Sequence, residues 1–154
     1  MIALIQRVTQ ASVSVEDEDE VIGAIGKGIV ALVAIQPGDS ESVADRLIER
    51  IMGYRIFEDD AGRMNHSLTD IGGELLLVSQ FTLAADTRRG TRAGFSTAAD
   101  PATGERLFEY LVRKAKTLPL HVATGRFGAH MQVSLVNDGP VTFWLEAAAP
   151  SDQA

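Results

Sequence analysis

The residues best suited to chemistry lie at the end of an apolar run. Residues 74–78 predict a buried strand, and Ser79-Gln80-Phe81-Thr82 follow it directly. Two hydroxyl groups and a carboxamide at the end of such a strand are costly to bury without hydrogen-bond partners. They therefore predict either a satisfied polar network or a surface that binds the polar groups of a substrate.

A second unusual step, Gly139-Pro140, lies near the C-terminus between Asn137-Asp138 and Val141-Thr142. Pro140 has no N–H to donate to a sheet, and the bond before a proline adopts the cis isomer at a cost of only ~0.5–1 kcal/mol. Gly139 tolerates backbone angles that other residues avoid. The pair is able to hold two carbonyl groups outward, although Asn-Asp-Gly-Pro taken alone more often marks an ordinary strand-entry turn.

Composition limits the chemistry that is available elsewhere. The 154-residue chain has no cysteine, which excludes disulfides, thiolate metal sites and cysteine nucleophiles. His66 has no second histidine at metal-ligand spacing and is interpreted as a hydrogen-bonding loop residue. With no long apolar run and no signal-peptide pattern at the start, we expect a soluble, cytoplasmic protein that makes no membrane contact.

Charge argues against wide, nonspecific coverage of a nucleic-acid backbone, because the net charge is −7. A local contact stays open, since Arg88, Arg89 and Arg92 fall close together and Arg113, Lys114 and Lys116 form a second cluster. The simplest interpretation of the two clusters is a solvated loop and a solvated helix face. Residues 16–20 are all acidic and predict an exposed hairpin tip.

Short apolar runs bounded by turn residues predict a chain dominated by strands. The runs are residues 2–9, 11–15, 21–25, 28–35, 54–57, 74–78, 121–124, 130–136 and 141–146. Gly26-Lys27-Gly28 is interpreted as a tight turn, and residues 64–68 favour no single structure. Residues 84–99 form a long loop without clear periodicity, which favours a functional role.

Two amphipathic helices interrupt the strands. One follows an N-cap at Asp39 or Ser40 and ends at Gly53, and the other follows Asp100-Pro101 and ends before Pro119. The predicted fold class is α+β, with mostly antiparallel or mixed sheets, barrel-like or layered, and both helices packed on one side. We expect a single domain over residues 1–146 and a flexible tail over residues 147–154.

Together with four other segments, the two motifs form a specific combination: residues 5–8 (Ile-Gln-Arg-Val), 53–57 (Gly-Tyr-Arg-Ile-Phe), 83–87 (Leu-Ala-Ala-Asp-Thr) and 124–128 (Thr-Gly-Arg-Phe-Gly). Over residues 1–146 the chain resembles the D-aminoacyl-tRNA deacylases, the family formerly named for D-tyrosyl-tRNA. One departure is Ala93, where the family favours proline. The resemblance therefore leaves the rigidity of the loop at residues 88–96 open.

The resemblance implies a cytoplasmic homodimer that proofreads translation without a metal or an organic cofactor. Its implied reaction is hydrolysis of the ester between a D-amino acid and the terminal adenosine of tRNA, with glycyl-tRNA mischarged on tRNA(Ala) as a further substrate. Gly139 and Pro140 would form a cis peptide that enters the partner subunit's pocket and rejects L-aminoacyl-tRNA. Ser79, Gln80, Phe81 and Thr82 would hold the ester.

Ester hydrolysis needs a nucleophile and donors for the oxyanion, for which the N–H groups of Phe81 and Thr82 are candidates. A threonine nucleophile needs an activating base, and none lies near Thr82 in sequence. The resemblance favours water activated by the 2′-hydroxyl of the substrate, with Thr82 in a positioning role. Arg7 is expected to brace the Gly-Pro step through charge-assisted hydrogen bonds. Arg88, Arg89 and Arg92 are expected to meet phosphates of the acceptor end.

The residues also leave two other functions open. In a non-catalytic dimeric binding module, Gly139-Pro140 would be a plain turn and the polar triplet a satisfied core network. An esterase of small molecules would use Thr82 or Ser79. The chain has no Gly-x-Ser-x-Gly elbow and no ordered acid-histidine partner, which argues against this esterase.

Overall fold

A computed structural model describes residues 1–16 and 20–149. In chain order the elements are β1 (Ile2–Val15), β2 (Glu20–Ile25), β3 (Gly28–Ala34), α1 (Glu41–Gly53), β4 (Phe57–Glu58), β5 (Met64–His66), α2 (Leu68–Ile71), β6 (Glu74–Ser79), a 3-10 helix (Phe81–Ala84), α3 (Pro101–Lys116), β7 (Val122–Thr124) and β8 (Met131–Glu146). Most strands belong to one sheet, and β4 and β5 form a separate hairpin.

The long strand β1 organises the sheet because it pairs with three other strands along its two edges. β2 and β3 pair antiparallel with one edge, one after the other, and β8 pairs antiparallel with the other edge. Beyond β3 the sheet continues with β6 and then β7, both in parallel pairing. The sheet curls until β2 approaches β7, where a Cβ on Gly23 would lie only 2.8 Å from the carbonyl oxygen of Thr124. The result is a mixed, barrel-like sheet.

Both main helices begin where capping chemistry predicts. The Ser40 side chain accepts a hydrogen bond from the N–H of Val43, and Asp100 accepts one from the N–H of Thr103. α1 and α3 pack together on one face of the sheet, where the Tyr110 hydroxyl donates to Asp45 at 2.8 Å. The predicted α+β class, with two amphipathic helices on one side of a mixed sheet, is confirmed.

Alternating side chains place apolar residues on both faces of the central strands. On β6, Leu75 and Leu77 join the core beneath the helices, whereas Leu76 and Val78 join a second cluster inside the curl. The continuous apolar run before Ser79 therefore reflects burial on both faces. Ser79 ends β6 at the rim of this core.

Several local expectations differ from the structure. Residues 26–28 do not reverse the chain, since β2 and β3 run along the same edge of β1. Gly28 is needed for the tight approach of β6, because a Cβ there would lie 1.8 Å from the carbonyl oxygen of Glu74. The strand predicted at residues 54–57 is instead the two-residue β4, and residues 67–71 contain the short helix α2. The two strands predicted at 130–136 and 141–146 are one strand, β8.

The C-terminal tail, residues 147–154, was predicted to be flexible. Ala147 is buried, and its N–H donates to the carbonyl oxygen of Met1 at 2.9 Å. The rest of the predicted tail is either exposed, at residues 148–149, or outside the described residues, at 150–154.

Most of the predicted acidic tip also falls on residues outside the described part of the chain, at 17–19. Within that part, no helix combines the length and the apolar character needed to cross a bilayer.

Candidate active site

The Gly139-Pro140 step forms an outward bulge in β8. In the β1–β8 register, residues 138–141 lie opposite Arg7 alone. Gly139 and Pro140 therefore have no partner in the ladder, both are exposed, and the bond between them is cis. The step is therefore a bulge within a continuing strand, in contrast to a turn that merely joins two strands.

The side chain of Arg7 holds the start of this bulge. Its Nε donates to the backbone carbonyl of Asp138 at 2.9 Å and lies 3.2 Å from the Asp138 carboxylate. Its Nη1 donates to the backbone carbonyl of Ile56 at 2.7 Å. Arg7 is only 8% exposed, and an arginine is rarely this buried unless it is paired. These contacts are the kind that the bracing hypothesis requires.

The carboxamide of Asn137 spans the neck of the bulge. Its Nδ2 donates to the carbonyl oxygen of Arg7 at 2.9 Å and to that of Val141 at 3.1 Å. Sequence reasoning did not single out this residue, although an asparagine beside a Gly-Pro step is a recognisable signal for side-chain to backbone bonding. The bulge is thus held by two side chains, Arg7 and Asn137.

Gly139 has too little space around it for any side chain. A Cβ at this position would lie 2.3 Å from Oδ1 of Asn137 and 2.8 Å from the backbone nitrogen of Val141. Real Cβ atoms essentially never approach other heavy atoms this closely. Glycine is therefore required by the folded bulge itself.

The Ser79-Gln80-Phe81-Thr82 segment lies at the end of β6. Ser79 pairs with Val33 of β3, and the N–H of Gln80 donates to the carbonyl oxygen of Val33 at 2.7 Å. Phe81 and Thr82 then open the 3-10 helix, and both are exposed. The first N–H groups of a helix have no acceptor within that helix. The N–H groups of Phe81 and Thr82 therefore have no acceptor within the 3-10 helix.

The Thr82 hydroxyl is oriented by a neighbour. Nε2 of Gln80 donates to Oγ1 of Thr82 at 2.5 Å, so that the hydroxyl proton stays available as a donor. Within the described part of the chain, this hydroxyl makes no hydrogen bond to a histidine or a carboxylate. The local geometry therefore offers Thr82 no general base.

A mainly apolar cavity of about 230 Å³ opens beside Ser79 and Phe81. The Phe108 and Phe127 rings, with centroids 6.3 Å apart, form part of its wall. Asp100 also lines it, and hydrogen bonds from Thr103 lower the pKa of this carboxyl group below its ordinary value. The cavity thus combines flat apolar walls with a negatively charged acceptor.

The arginine-containing loop is closed at its base. Asp86 and Gly94 exchange backbone hydrogen bonds of 2.7 and 2.9 Å, and two nitrogens of Arg88 donate to the Asp86 carboxylate, each at 2.9 Å. These bonds from Arg88 lower the pKa of Asp86 to about 2. Arg89 and Arg92 are exposed. These hydrogen bonds hold the loop together even though residue 93 is alanine.

An exposed aromatic pair joins this loop to the candidate site. The rings of Phe81 and Phe95 lie 5.2 Å apart, and the two residues are 57% and 48% exposed. Ring pairs at this separation attract each other. The contact of Phe95 with Phe81 and the pairing of Asp86 with Arg88 are features that the sequence did not reveal.

Within one chain, the two groups of predicted site residues are separated. The Gly139-Pro140 bulge is on β8 and Thr82 follows β6, with β1 and β3 between these strands. Neighbouring strands lie about 4.8 Å apart, so three spacings separate β8 from β6 by about 14 Å along the sheet. A single subunit therefore does not place both groups around one small ester.

The three histidines lie apart from these residues. His66 is 4.0 Å from Asp70, His121 contacts the carbonyl oxygen of Ala24, and His130 contacts Glu16. Across residues 1–16 and 20–149, no group of three or more His, Asp or Glu side chains is arranged to hold a metal ion.

Comparisons with known proteins agree with one another. The family model described as D-Tyr-tRNA(Tyr) deacylase matches residues 4–146. The chain is 63% identical to a D-aminoacyl-tRNA deacylase of Thioalkalivibrio sulfidiphilus, a match that covers 97% of this chain and 99% of the relative. It is 58% identical to the D-aminoacyl-tRNA deacylase of a Pseudomonas putida strain, with coverage of 95% and 99%.

Solved structures show the same fold. The structure named c-Myc DNA Unwinding Element Binding Protein superposes with a TM-score of 0.89 at 38% identity and covers 97% of this chain and 100% of its own. A probable eukaryotic D-amino acid tRNA deacylase superposes with a TM-score of 0.78 at 17% identity, covering 94% of this chain and 98% of its own, and supports the fold alone. From the family match and the full-length relatives, the chain belongs to the D-Tyr-tRNA(Tyr) deacylase family of enzymes.

Proposed function

We propose that this protein hydrolyses the ester bond of D-aminoacyl-tRNA in the cytoplasm and releases the free D-amino acid and tRNA. We include glycyl-tRNA mischarged on tRNA(Ala), because glycine has no side chain that a chiral filter could reject. The observation that carries the proposal is the outward Gly139-Pro140 bulge in a chain of this family. A regular β-strand would use these carbonyl groups in its ladder.

The bulge supports a chiral filter made of backbone atoms. If the carbonyl groups of Gly139 and Pro140 accept hydrogen bonds from the substrate ammonium, they fix the position of the substrate Cα. An L side chain is then directed against the Gly-Pro backbone, whereas a D-amino acid places only its small Cα hydrogen there. Rejection by such a clash acts on any side chain and needs no tailored pocket.

A homodimer completes the site in this proposal. Because β1 and β3 separate the bulge from Thr82, the bulge of one subunit acts on a substrate held by Ser79, Gln80, Phe81 and Thr82 of its partner. A two-fold dimer forms two such sites at once. No cofactor is required in this arrangement, since each group assigned a role belongs to the protein or to the substrate.

The cavity beside Ser79 is suited to the terminal adenine. Purine bases stack on aromatic side chains, which Phe108 and Phe127 provide. The carboxylate of Asp100 is an acceptor of the kind that an exocyclic amine needs. With the base in this cavity, the 3′ ester extends toward the neighbouring residues Phe81 and Thr82.

For the chemical step, the N–H groups of Phe81 and Thr82 stabilise the oxyanion, a contribution of roughly 3 to 4 kcal/mol per donor. Thr82 positions the ester or the water, since its hydroxyl has a donor partner in Gln80 and no base. Water is activated by the 2′-hydroxyl of the substrate ribose. Catalysis then depends mainly on the position of the reacting groups.

Arg89 and Arg92 provide a local positive rim for phosphates of the acceptor end. Arg88 contributes less charge because Asp86 neutralises it. The reversal variants Arg89→Glu and Arg92→Glu should weaken tRNA binding and flatten its salt dependence. The control is Arg46→Glu, at an exposed residue of α1 that belongs to neither basic cluster. Unchanged salt dependence in both rim variants refutes this assignment.

Deacylation of tRNA charged with D-tyrosine, L-tyrosine or glycine tests the proposal directly. We expect release of D-tyrosine and glycine and at least ~100-fold slower release of L-tyrosine, which corresponds to a steric penalty of about 2.7 kcal/mol in the transition state. No release of any amino acid would show a binding module instead. Equal cleavage of free D-tyrosine ethyl ester would show a small-molecule esterase.

A further inference from the structure

We infer that Asn137 is a positioning residue for stereochemical selection, because its carboxamide fixes the neck of the Gly139-Pro140 bulge. This inference rests on the proposed function, since it assigns a further residue to the chiral filter. Asn137 takes no part in the chemical step. Its role is to determine where the carbonyl groups of Gly139 and Pro140 point.

The two hydrogen bonds of Nδ2 reach across the bulge. One acceptor, the carbonyl oxygen of Arg7, is on β1 at 2.9 Å, and the other, the carbonyl oxygen of Val141, is on β8 at 3.1 Å. The ladder offers no paired residue to Arg7 on this side, because residues 138–141 leave the register. A side-chain amide thus supplies the donors that the interrupted ladder lacks.

The other end of the carboxamide limits Gly139. Oδ1 of Asn137 lies 2.3 Å from the position that a Cβ on Gly139 would occupy. The amide therefore occupies the space on the side-chain face of Gly139, and rotation of this peptide toward it is blocked. Glycine at 139 and asparagine at 137 are matched to each other.

Arg7 and Asn137 hold different ends of the bulge. The contacts of the Arg7 guanidinium stop at Asp138, before the Gly-Pro peptide. Asn137 instead fastens Val141, immediately after that peptide. Without the Asn137 bonds, the end of the bulge after Pro140 is held only by the core packing of Val141 and the pairing of Thr142 with Gln6. The Gly-Pro carbonyl groups then gain freedom to move away from an L side chain.

The test compares Asn137→Ala, which removes the amide, with Asn137→Asp, which keeps the shape but loses the Nδ2 donor. We expect the ratio of kcat/KM for D-tyrosyl-tRNA over L-tyrosyl-tRNA to fall by about tenfold or more in both variants, the scale set by losing two neutral hydrogen bonds. Ser134→Ala, an exposed substitution on the same strand, should keep the wild-type ratio. Thermal unfolding of each variant is recorded in parallel.

The outcomes separate the inference from the proposed function. If the wild-type protein fails to release D-tyrosine, the proposed function is wrong. If the wild type is selective and both folded variants keep its D-to-L ratio within about twofold, Asn137 has only a structural role and the inference is overturned. Loss of stability or of both rates together, at an unchanged ratio, also overturns it. Should Asn137→Ala not fold, the nearly isosteric Asn137→Asp carries the comparison.

Discussion

Replacing Gly139 with alanine tests whether the bulge has the rigid geometry described above. The added Cβ would lie 2.3 Å from Oδ1 of Asn137 and 2.8 Å from the backbone nitrogen of Val141. The Asn137 side chain can rotate away only by breaking its bonds to Arg7 and Val141. The Val141 nitrogen is backbone and cannot move without shifting β8.

The magnitude follows from these contacts. Two hydrogen bonds are worth roughly 0.5 to 1.5 kcal/mol each, so we expect the free energy of unfolding to fall by about 1 to 3 kcal/mol. For a domain of this size, that loss lowers Tm by about 2 to 12 °C. The D-to-L ratio of deacylation should fall as well, because the carbonyl groups are displaced.

Urea unfolding and charged-tRNA deacylation measure the two effects on the same preparation. Gly53→Ala is the matched control, because a Cβ at Gly53 has no heavy atom within 4 Å. Its unfolding free energy should stay the same or rise slightly. The reasoning would be falsified if Gly139→Ala unfolded within 0.5 kcal/mol of wild type, about the usual limit for a surface substitution, and kept full D-to-L selectivity.

Three further predictions concern the surrounding residues. Arg7→Lys should lower D-tyrosyl-tRNA kcat/KM by about tenfold or more, because one ammonium cannot replace the paired guanidinium bonds to Asp138 and Ile56; equal rates contradict this. Thr82→Ala should keep most of its single-turnover rate, and an acyl-enzyme trapped on Thr82 in the wild type refutes positioning. The lowered pKa of Asp86 means that its pair with Arg88 is present above the ordinary value of 3.8 and is lost as pH falls through about 2. NMR titration of the Asp86 carboxyl should therefore show a midpoint near 2, and one near 3.8 rules out the persistent pair.

Local chemistry made the helices predictable from sequence. Ser40 and Asp100 are N-caps in the structure, because capping needs only a side-chain oxygen and the N–H groups a few residues later. The same rule reaches α2, where Ser67 and Asp70 form a capping box. The sequence carries this signal as a serine followed three residues later by an aspartate.

Long-range pairing accounts for what the sequence left out. The pattern at residues 26–28 looks like a reversal, and only the register with β1 shows that β2 and β3 run along one edge. Likewise, Gly139-Pro140 interrupts the apolar pattern, yet the ladder resumes on the other side. A residue pattern records which backbone positions are unusual, whereas the partner strand decides whether they turn or bulge.

In the candidate site too, local motifs were predictable from sequence and long-range contacts were not. The roles considered for Thr82 and Gly139 came from motifs that are contiguous in sequence. The contact of Asn137 with Arg7 joins residues 130 positions apart, and no spacing rule points to it. The pairing of Phe95 with Phe81 is similarly a result of how the loop folds back.

Because the bulge and the Thr82 segment are separated, a substitution in one subunit of the proposed dimer affects the site of the other subunit. In the proposed dimer, each chain lends its Gly-Pro bulge to the other chain's substrate and borrows a bulge in return. A substitution at Gly139 therefore impairs stereochemical selection in the partner's site. The Thr82 segment of the altered chain itself is unchanged. Mixing such a chain with one altered at Gln80 and Thr82 gives each mixed dimer one site in which both the bulge and the Thr82 segment are unaltered, so the mixture should select D- over L-substrate better than the Gly139-altered chain alone.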